Sequence, residues 1–448
     1  MKIDKSLMIS ISGIRGLLSS GMNPETVSRF TAAYAAELNQ GRVIVGRDAR
    51  ASGASLMSAV CSSLQFMGFD VVNLGIAATP TVEIMVDELK AEGGIIVTAS
   101  HNGPDWNALK FLDSNGEFLS SEEIDKIKQR VESDEHLFSE PDMFGQCKPY
   151  ENSDTVHINR ILKLDCIDIE QIKSSNVKAV VDCVNGAGSR IIPSLLGKLG
   201  VTVVELYTDV DAPFPHIPEP TPANLGDLSK AVVREKADIG FACDPDADRL
   251  VLVDESGSVC SEELTLSLAA EFVLTFEKGP VVANLSTTRL MDDIAELYNV
   301  SLHRSSVGEA NVIELMKRTN AVIGGEGNGG VIYPEVHYGR DAATGIALIL
   351  QLLSNQGLTL GEKLSKMPRY HIVKKKHTYE GDFSVLMKEA EKLFNGKINT
   401  TDGIRIDMDK GWIHLRISNT EPVVRVIAEA RSEKMTEDIL RRADHLFS

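Results

Sequence analysis

One succession of strands and helices returns three times along the chain, and it restricts the fold more than any other feature. From Arg42 the apolar run RVIVG leads to a helical stretch ending near Gly68, then to FDVVNLG, the helical TVEIMVDEL and GGIIV. It reappears as VKAVVDCVNG, SRIIPSLLGKLG and VTVVELY, and again as GPVVANLS, RLMDDIAELY, SLHRSS, VGEANVIELMKR and AVIGG. Strand–helix–strand order predicts a parallel or mixed sheet covered by helices. Repetition about every 100 residues predicts three similar α/β domains rather than one large sheet. The C-terminal stretch differs. IRIDMDKGWIHLRIS reads as two strands joined around Asp409 to Gly411, followed by VVRVIAEA and a final helix, which makes an α+β cap. The expected domains are 1–152, 153–253, 254–366 and 367–448, set around a central cleft with ligand loops at strand C-termini.

Charge narrows the partners. The net charge is −18 and no Lys/Arg run forms a basic stripe, so a phosphate-rich polymer is repelled and nucleic acid is excluded as a partner. A small anionic ligand must be held by individual cations. No window approaches a membrane-spanning length of apolar residues, and MKIDKSLMISISGIRG is too polar for a signal peptide. Six scattered cysteines without a CxxC pair fit buried thiols in a reducing cytoplasm. The expectation is a cytoplasmic protein, monomer or homodimer, acting on a small molecule away from membranes.

Four loops carry reactive residue types. The first is Thr98-Ala99-Ser100-His101-Asn102-Gly103-Pro104, with Asn107 and Lys110 behind it. A serine at a strand's C-terminal end serves as nucleophile or phosphate carrier, with His101 and Lys110 supplying charge and proton transfer, or is simply a capped turn. It lacks the GxSxG elbow of serine hydrolases. The second is Asp244-Pro245-Asp246-Ala247-Asp248-Arg249 between two apolar runs. Carboxylates at alternate positions repel unless a hard cation lies between them. An EF-hand is excluded because Arg249 stands where that loop requires Gly, so magnesium is expected, with room for a phosphate oxygen. The third, Gly324 to Gly330, presents Glu326 and Asn328 on a glycine-rich turn suited to sugar hydroxyls or an amino group, or is a flexible turn. The fourth is Arg416-Ile417-Ser418-Asn419-Thr420-Glu421-Pro422 with Arg425 beyond. It reads as a phosphate cradle or as salt-bridged strand ends. Arg15 and Arg47 offer further cations to the first loop.

In this order, one per domain, the four loops closely resemble those of the α-D-phosphohexomutases, the phosphoglucomutases, phosphomannomutases and phosphoglucosamine mutases. The resemblance covers essentially the whole chain, and TASHN with DPDADR is its most specific part. It implies an intramolecular phosphotransferase in which Ser100 is phosphoserine at rest. One Mg²⁺ would be held by Ser100's phosphate, Asp244, Asp246 and Asp248. Arg15, His101, Lys110 and Arg249 would surround the transferring group. Glu326 and Asn328 would hold the sugar, while Arg416, Ser418, Asn419, Thr420 and Arg425 would bind the distal phosphate. Hexose 6-phosphate and hexose 1-phosphate would interconvert through a 1,6-bisphosphate, which also serves as activator.

Three departures from the family pattern stand out. Gly103 precedes Pro104 where many relatives have SHNP. Gly330 replaces the His of GExSGH, leaving His337 as a replacement or as an ordinary loop histidine. Arg304, in an R-x-x-V-G segment, and Glu309, where several glucose or mannose enzymes place a His, tilt the expected substrate towards glucosamine phosphate, with Arg304 counted among the substrate-binding residues. A glucose or mannose enzyme is the alternative. Outside the class stand a non-catalytic sugar-phosphate sensor and a metal-dependent phosphatase.

Overall fold

The computed structural model describes residues 3–133, 140, 143–417 and 423–447. Four sheets organise it. The first has the strand order Met8–Ser10, Gly13–Leu17, Trp106–Leu112, Gly93–Val97, Arg42–Arg47, Asp70–Ile76, Cys147–Pro149. The second runs Leu250–Asp254, Ile239–Cys243, Lys178–Asp182, Thr202–Leu206, and the third Leu302–Ser305, Val281–Asn284, Ile323–Glu326, Gly330–Ile332. Each contains the same motif. Its first parallel strand is central, the second and third flank it, and an antiparallel strand pairs beyond the third. Helices cover both faces, which is why Val43, Ile44 and Val45 in succession are all buried and why the apolar runs do not alternate.

The second and third domains are less separate than the sequence suggests. Helices Glu263–Phe276 and Ala342–Gln356 are buried along most of their length. Their Leu266, Ile346 and Leu350 share one core with Leu195 and Phe241 of the second domain. The expected division after 253 also needs correcting. It cuts strand Leu250–Asp254 and the bridge from Val253 to Val259, because the hairpin closing the second sheet continues past it.

The C-terminal sheet is antiparallel, in the order His371–Thr378, Val423–Ala430, Gly411–Ile417, Ile404–Met408, Lys397–Asn399. Met408 pairs with Gly411, so the turn lies at Asp409-Lys410. Ile404, Ile406, Ile413, Leu415, Val424 and Val426 face helices Phe383–Leu393 and Glu433–Asp444. Alternation puts Lys374, Arg405, His414, Arg416 and Arg425 on the other face, which meets the third domain. There Lys374 pairs with Glu262 and Glu263 at 2.8 and 2.9 Å. Arg405 stacks on Trp412 and donates to the Leu285 and Thr287 carbonyls. All six cysteines are free thiols. Among the described residues no helix is long and apolar enough to cross a membrane.

Candidate active site

Three of the four loops occupy equivalent corners. Residues 98–105, 244–249 and 327–329 each connect the third parallel strand of a repeat to its antiparallel neighbour. The repeated topology therefore delivers a serine, an aspartate triplet and a glutamate to one place.

Ser100 sits in left-handed backbone, with φ of 49°, which costs a non-glycine residue about 1 kcal/mol or more and persists only where surroundings enforce it. The enforcement is visible. Thr98 Oγ1 accepts from the Ser100 amide at 3.0 Å and donates to Asp48 at 2.6 Å. Arg50, paired with Asp48 at 2.8 Å, donates to the Ser100 carbonyl and to the Gly103 carbonyl at 2.7 Å. The Ser100 hydroxyl donates to Asp244 Oδ2 at 2.7 Å and lies 3.3 Å from His101 Nδ1.

Asp244, Asp246 and Asp248 are fully buried, and one oxygen from each lies within 4.8 Å of the others. The remaining Asp244 oxygen accepts from the amides of Asp248 and Arg249. Asp246 Oδ1 and Asp248 Oδ1, also buried, have no hydrogen-bond partner. Buried carboxylate oxygens without a donor are costly, and a hard divalent cation satisfies several at once, so the donor set fits a metal of the magnesium type. Burial, then Asp248 and Asp246, push the Asp244 carboxyl well above its usual range. Asp246 is as deeply buried, but Lys110 outweighs that and holds it low.

Cations ring this cluster. Lys110 Nζ lies 2.7 Å from Asp246 and 3.4 Å from Asp248. Burial opposes its charge, yet the two carboxylates raise its pKa. Arg249 Nε stands 3.9 Å from Asp244 and 3.8 Å from Asp248 and makes no hydrogen bond. Arg15 donates to Asn102 Oδ1; burial and Arg249 lower its pKa to about 10, so it stays charged at neutral pH. Arg249, burial and Arg15 together push His101 well below the ordinary imidazole value, leaving a neutral ring beside Ser100. Arg47 donates to the Asp48 carbonyl at 2.9 Å, a local bond outside this ring.

Glu326 reaches the cluster through Arg340. Its Oε1 accepts from Asn284 at 2.8 Å and the Gly308 amide at 3.0 Å, and its Oε2 from Arg340 at 2.9 Å and Asn328 at 3.3 Å. Burial raises its pKa, but Arg340 and Asn284 prevail and hold it low. Arg304 does not join the site. Its guanidinium is spent on the carbonyls of Asn284, Thr287 and Thr288 and on Asp292 at 2.6 Å. It acts instead on loop shape, since Thr287 Oγ1 receives the Gly327 amide at 3.0 Å. His337 lies on the loop between strand Gly330–Ile332 and helix Ala342–Gln356, but it is not an exposed loop histidine and its ring is turned to other carboxylates than Glu326. Only 8% exposed, it packs 3.3 Å from Glu83 and 3.7 Å from Asp341.

In the cap, Arg416 pairs directly with Arg425, and Arg425 with Lys376. Like charges opposite one another on adjacent strands repel, and Asp402 Oδ2, 3.3 Å from Arg416 Nε, offsets part of that repulsion. Ser418, Asn419 and Thr420 lie outside the described residues.

Sequence reasoning missed Arg50 and Arg340. Each acts on a loop far away in the chain, and neither stands in a recognisable motif. Arg47 was expected to offer a cation to the first loop, whereas it is Arg50, three residues on, that donates to the Ser100 and Gly103 carbonyls.

Known proteins match over the whole length. Family models for phosphoglucomutase/phosphomannomutase α/β/α domains I, II and III match residues 8–137, 155–257 and 262–370, and the model for the C-terminal domain matches 373–446. A phosphoglucomutase/phosphomannomutase of Thermococcus kodakarensis is 36% identical, covering 96% of this chain and 95% of its own. A relative in Methanopyrus kandleri, named probable phosphoglucosamine mutase, is 34% identical over the same shares. The crystal structure of a phosphoglucomutase/phosphomannomutase family protein from Burkholderia thailandensis superposes with a TM-score of 0.87 at 26% identity, covering 99% of this chain and 97% of that one.

Proposed function

The chain belongs to the phosphoglucomutase/phosphomannomutase family of sugar-phosphate mutases, and we propose that it carries a phosphoryl group on Ser100, requires magnesium, and interconverts glucosamine 6-phosphate and glucosamine 1-phosphate. The observation that carries this reading is the meeting of Ser100 Oγ with Asp244 at 2.7 Å, beside two buried aspartate oxygens that lack donors.

Asp244, Asp246 and Asp248 would hold the metal together with an oxygen of the Ser100 phosphate. Bound there, the ion supplies Lewis-acid neutralisation of the phosphoryl charge. The residues do the rest. In the first transfer the bond between phosphorus and Ser100 Oγ breaks while a bond to the free sugar hydroxyl forms. One proton passes from that hydroxyl to the released serine oxygen, so the transfer leaves the proton count unchanged. His101, kept neutral and 3.3 Å from Ser100 Oγ, is suited to handling the serine proton. Lys110, whose pKa is raised between two carboxylates, keeps its proton and contributes charge. Arg15 and Arg249 neutralise the transferring group. Glu326 and Asn328 orient the sugar, and Arg416, Arg425 and residues 418–420 grip the distal phosphate. The second transfer repeats the first in reverse with the other phosphate of the 1,6-bisphosphate. Most of the rate then comes from positioning and preorganised charge.

The preference for the amino sugar is supported by the Methanopyrus relative's name and by the Arg304-to-Gly308 segment, which places the Gly308 amide on Glu326. Hexoses differing at one C2 group are separated by about 1–3 kcal/mol in an apolar contact and by more where a polar partner is left unpaired. The test compares kcat/KM on glucosamine, glucose and mannose 1-phosphates with Mg²⁺ and a trace of 1,6-bisphosphate. Turnover should be highest on glucosamine phosphate, disappear with a chelator, and return with added metal. Ser100→Ala should abolish turnover and the extra phosphate in the intact mass. No turnover on any of the three sugars refutes the mutase reading, and inorganic phosphate released in step with sugar consumed replaces it with a phosphatase.

A further inference from the structure

Arg340 lies between strand Gly330–Ile332 and helix Ala342–Gln356, 7% exposed. It contacts three carboxylates on three separate segments. Nη2 donates to Asp248 Oδ2 at 2.6 Å, Nη1 to Glu326 Oε2 at 2.9 Å, and Nε to Glu309 Oε2 at 3.1 Å. Its amide closes the set on Glu309 Oε1 at 2.7 Å. One fork therefore joins the aspartate loop of the second domain to the glutamate of the sugar loop. Through Glu309, the first residue of helix Glu309–Thr319, it also reaches the Gly308 amide that donates to Glu326.

Two details show that the arrangement is specified. Arg340, with Lys110 at 3.4 Å, occupies only Oδ2 of Asp248, leaving Oδ1 without a hydrogen-bond partner, 3.8 Å from Arg249 Nε. And the arginine stem crosses Gly330 so closely that a Cβ there would stand 2.3 Å from Cδ and 2.9 Å from Cγ. The missing side chain at Gly330, a departure from the family pattern, is the space through which Arg340 reaches Asp248.

We propose that Arg340 is a positioning residue that makes metal binding and sugar-phosphate binding cooperative, by holding Asp248 and Glu326 in one bidentate fork. It touches neither reacting atom. A movement of Glu326 towards the sugar is transmitted to the Asp248 carboxylate because a planar guanidinium cannot follow one partner without turning towards the other. Linkage requires the effect to be reciprocal. The inference rests on the reading of the aspartate triplet as the metal site.

The test measures the dissociation constant of Mn²⁺, by its electron paramagnetic resonance signal, with and without saturating glucosamine 1-phosphate, in the wild type, Arg340→Lys, Arg340→Met and Gly330→Ala. The sugar phosphate should tighten Mn²⁺ several-fold in the wild type. Arg340→Met should weaken Mn²⁺ by about 10-fold or more, as loss of an outer partner of a metal ligand does, and should abolish the tightening. Arg340→Lys should recover charge and part of the affinity but not the coupling. Gly330→Ala, which displaces the stem without altering any charge, should reduce the coupling and decides the matter if Arg340→Met does not fold. A folded Arg340→Met, or failing that Gly330→Ala, with wild-type affinity and wild-type coupling overturns the inference. Failure of the wild type to bind Mn²⁺ overturns the metal reading beneath it, a distinguishable result.

Discussion

At the residue scale, what could be read from the sequence was whatever is local. Ser100, the alternate aspartates and Arg249 are legible because each stands in a short run of reactive residue types, although the Ser100 loop alone also reads as a capped turn and gains its meaning only beside the aspartates. Arg50 and Arg340 are not legible, because their partners lie 50 and 92 residues away. Only the fold brings a cation onto those carbonyls and carboxylates. Arg304 shows the converse. A motif singled it out as a substrate-binding residue, but its guanidinium is taken up by backbone carbonyls and Asp292. Arg50 allows a clean prediction. Arg50→Met strips Asp48, which is fully buried, of its counter-charge, and breaking a buried pair in this way costs about 3–5 kcal/mol. Denaturant unfolding should show that loss, and Asp48→Asn in the same chain should restore much of it. Turnover should stay depressed in the double variant, because the Ser100 and Gly103 carbonyls are still released. Recovery of kcat along with stability would show that the clamp is only structural.

At the element scale, the strands and helices of the three repeats follow from apolar periodicity. The short edge strands Met8–Ser10 and Cys147–Pro149 do not, being too brief to show a period. Also illegible was a buried polar junction between helices. Thr81 and Glu83 lie on Thr79–Glu88, His157 lies on Ser153–Leu162, and Asp341 caps Ala342–Gln356. His157 bonds Thr81 and Asp341 at 2.9 Å each, and His337 sits between Glu83 and Asp341. Burial opposes the His337 charge, but Asp341 and Glu83 raise its pKa from 6.5 to about 9. Burial also raises Glu83, with Glu309 adding to the effect and His337 and Lys110 opposing it. Both groups hold a proton that the unfolded chain releases. The Glu83 share of the stabilisation is therefore complete below pH 4.5 and lost towards pH 8, while the His337 share is complete below pH 6.5 and lost as pH rises towards 9. The melting temperature should fall across that interval, corresponding to about 1–3 kcal/mol, and His337→Gln should flatten the curve. Equal slopes in both proteins would show that the junction does not titrate there.

For the whole molecule, three repeats and a cap were legible, but the polar nature of the cap's seat was not. Arg289 donates to the Met408 carbonyl at 2.9 Å and the Gly411 carbonyl at 3.2 Å, while its amide meets Glu429 at 2.8 Å. Lys374 and Arg405 add further polar contacts. Polar interfaces between domains permit relative motion, and a cap seated this way is expected to move reversibly and in a salt-sensitive manner. Arg289→Ala with Lys374→Ala should enlarge the radius of gyration in small-angle scattering. It should also make turnover depend more steeply on added 1,6-bisphosphate, because the intermediate escapes more often. Unchanged scattering with unchanged activator dependence would count against a mobile cap. The fixed backbone of Ser100 bears on the same step. A carrier pinned by Thr98 and Arg50 cannot swing from one end of a hexose to the other. In the proposed mechanism the enzyme would be the stationary partner between the two half-reactions, and the bisphosphate would have to turn end over end within the cleft. On that mechanism the room available to the sugar, as much as the grip on it, would set how fast it can be turned around.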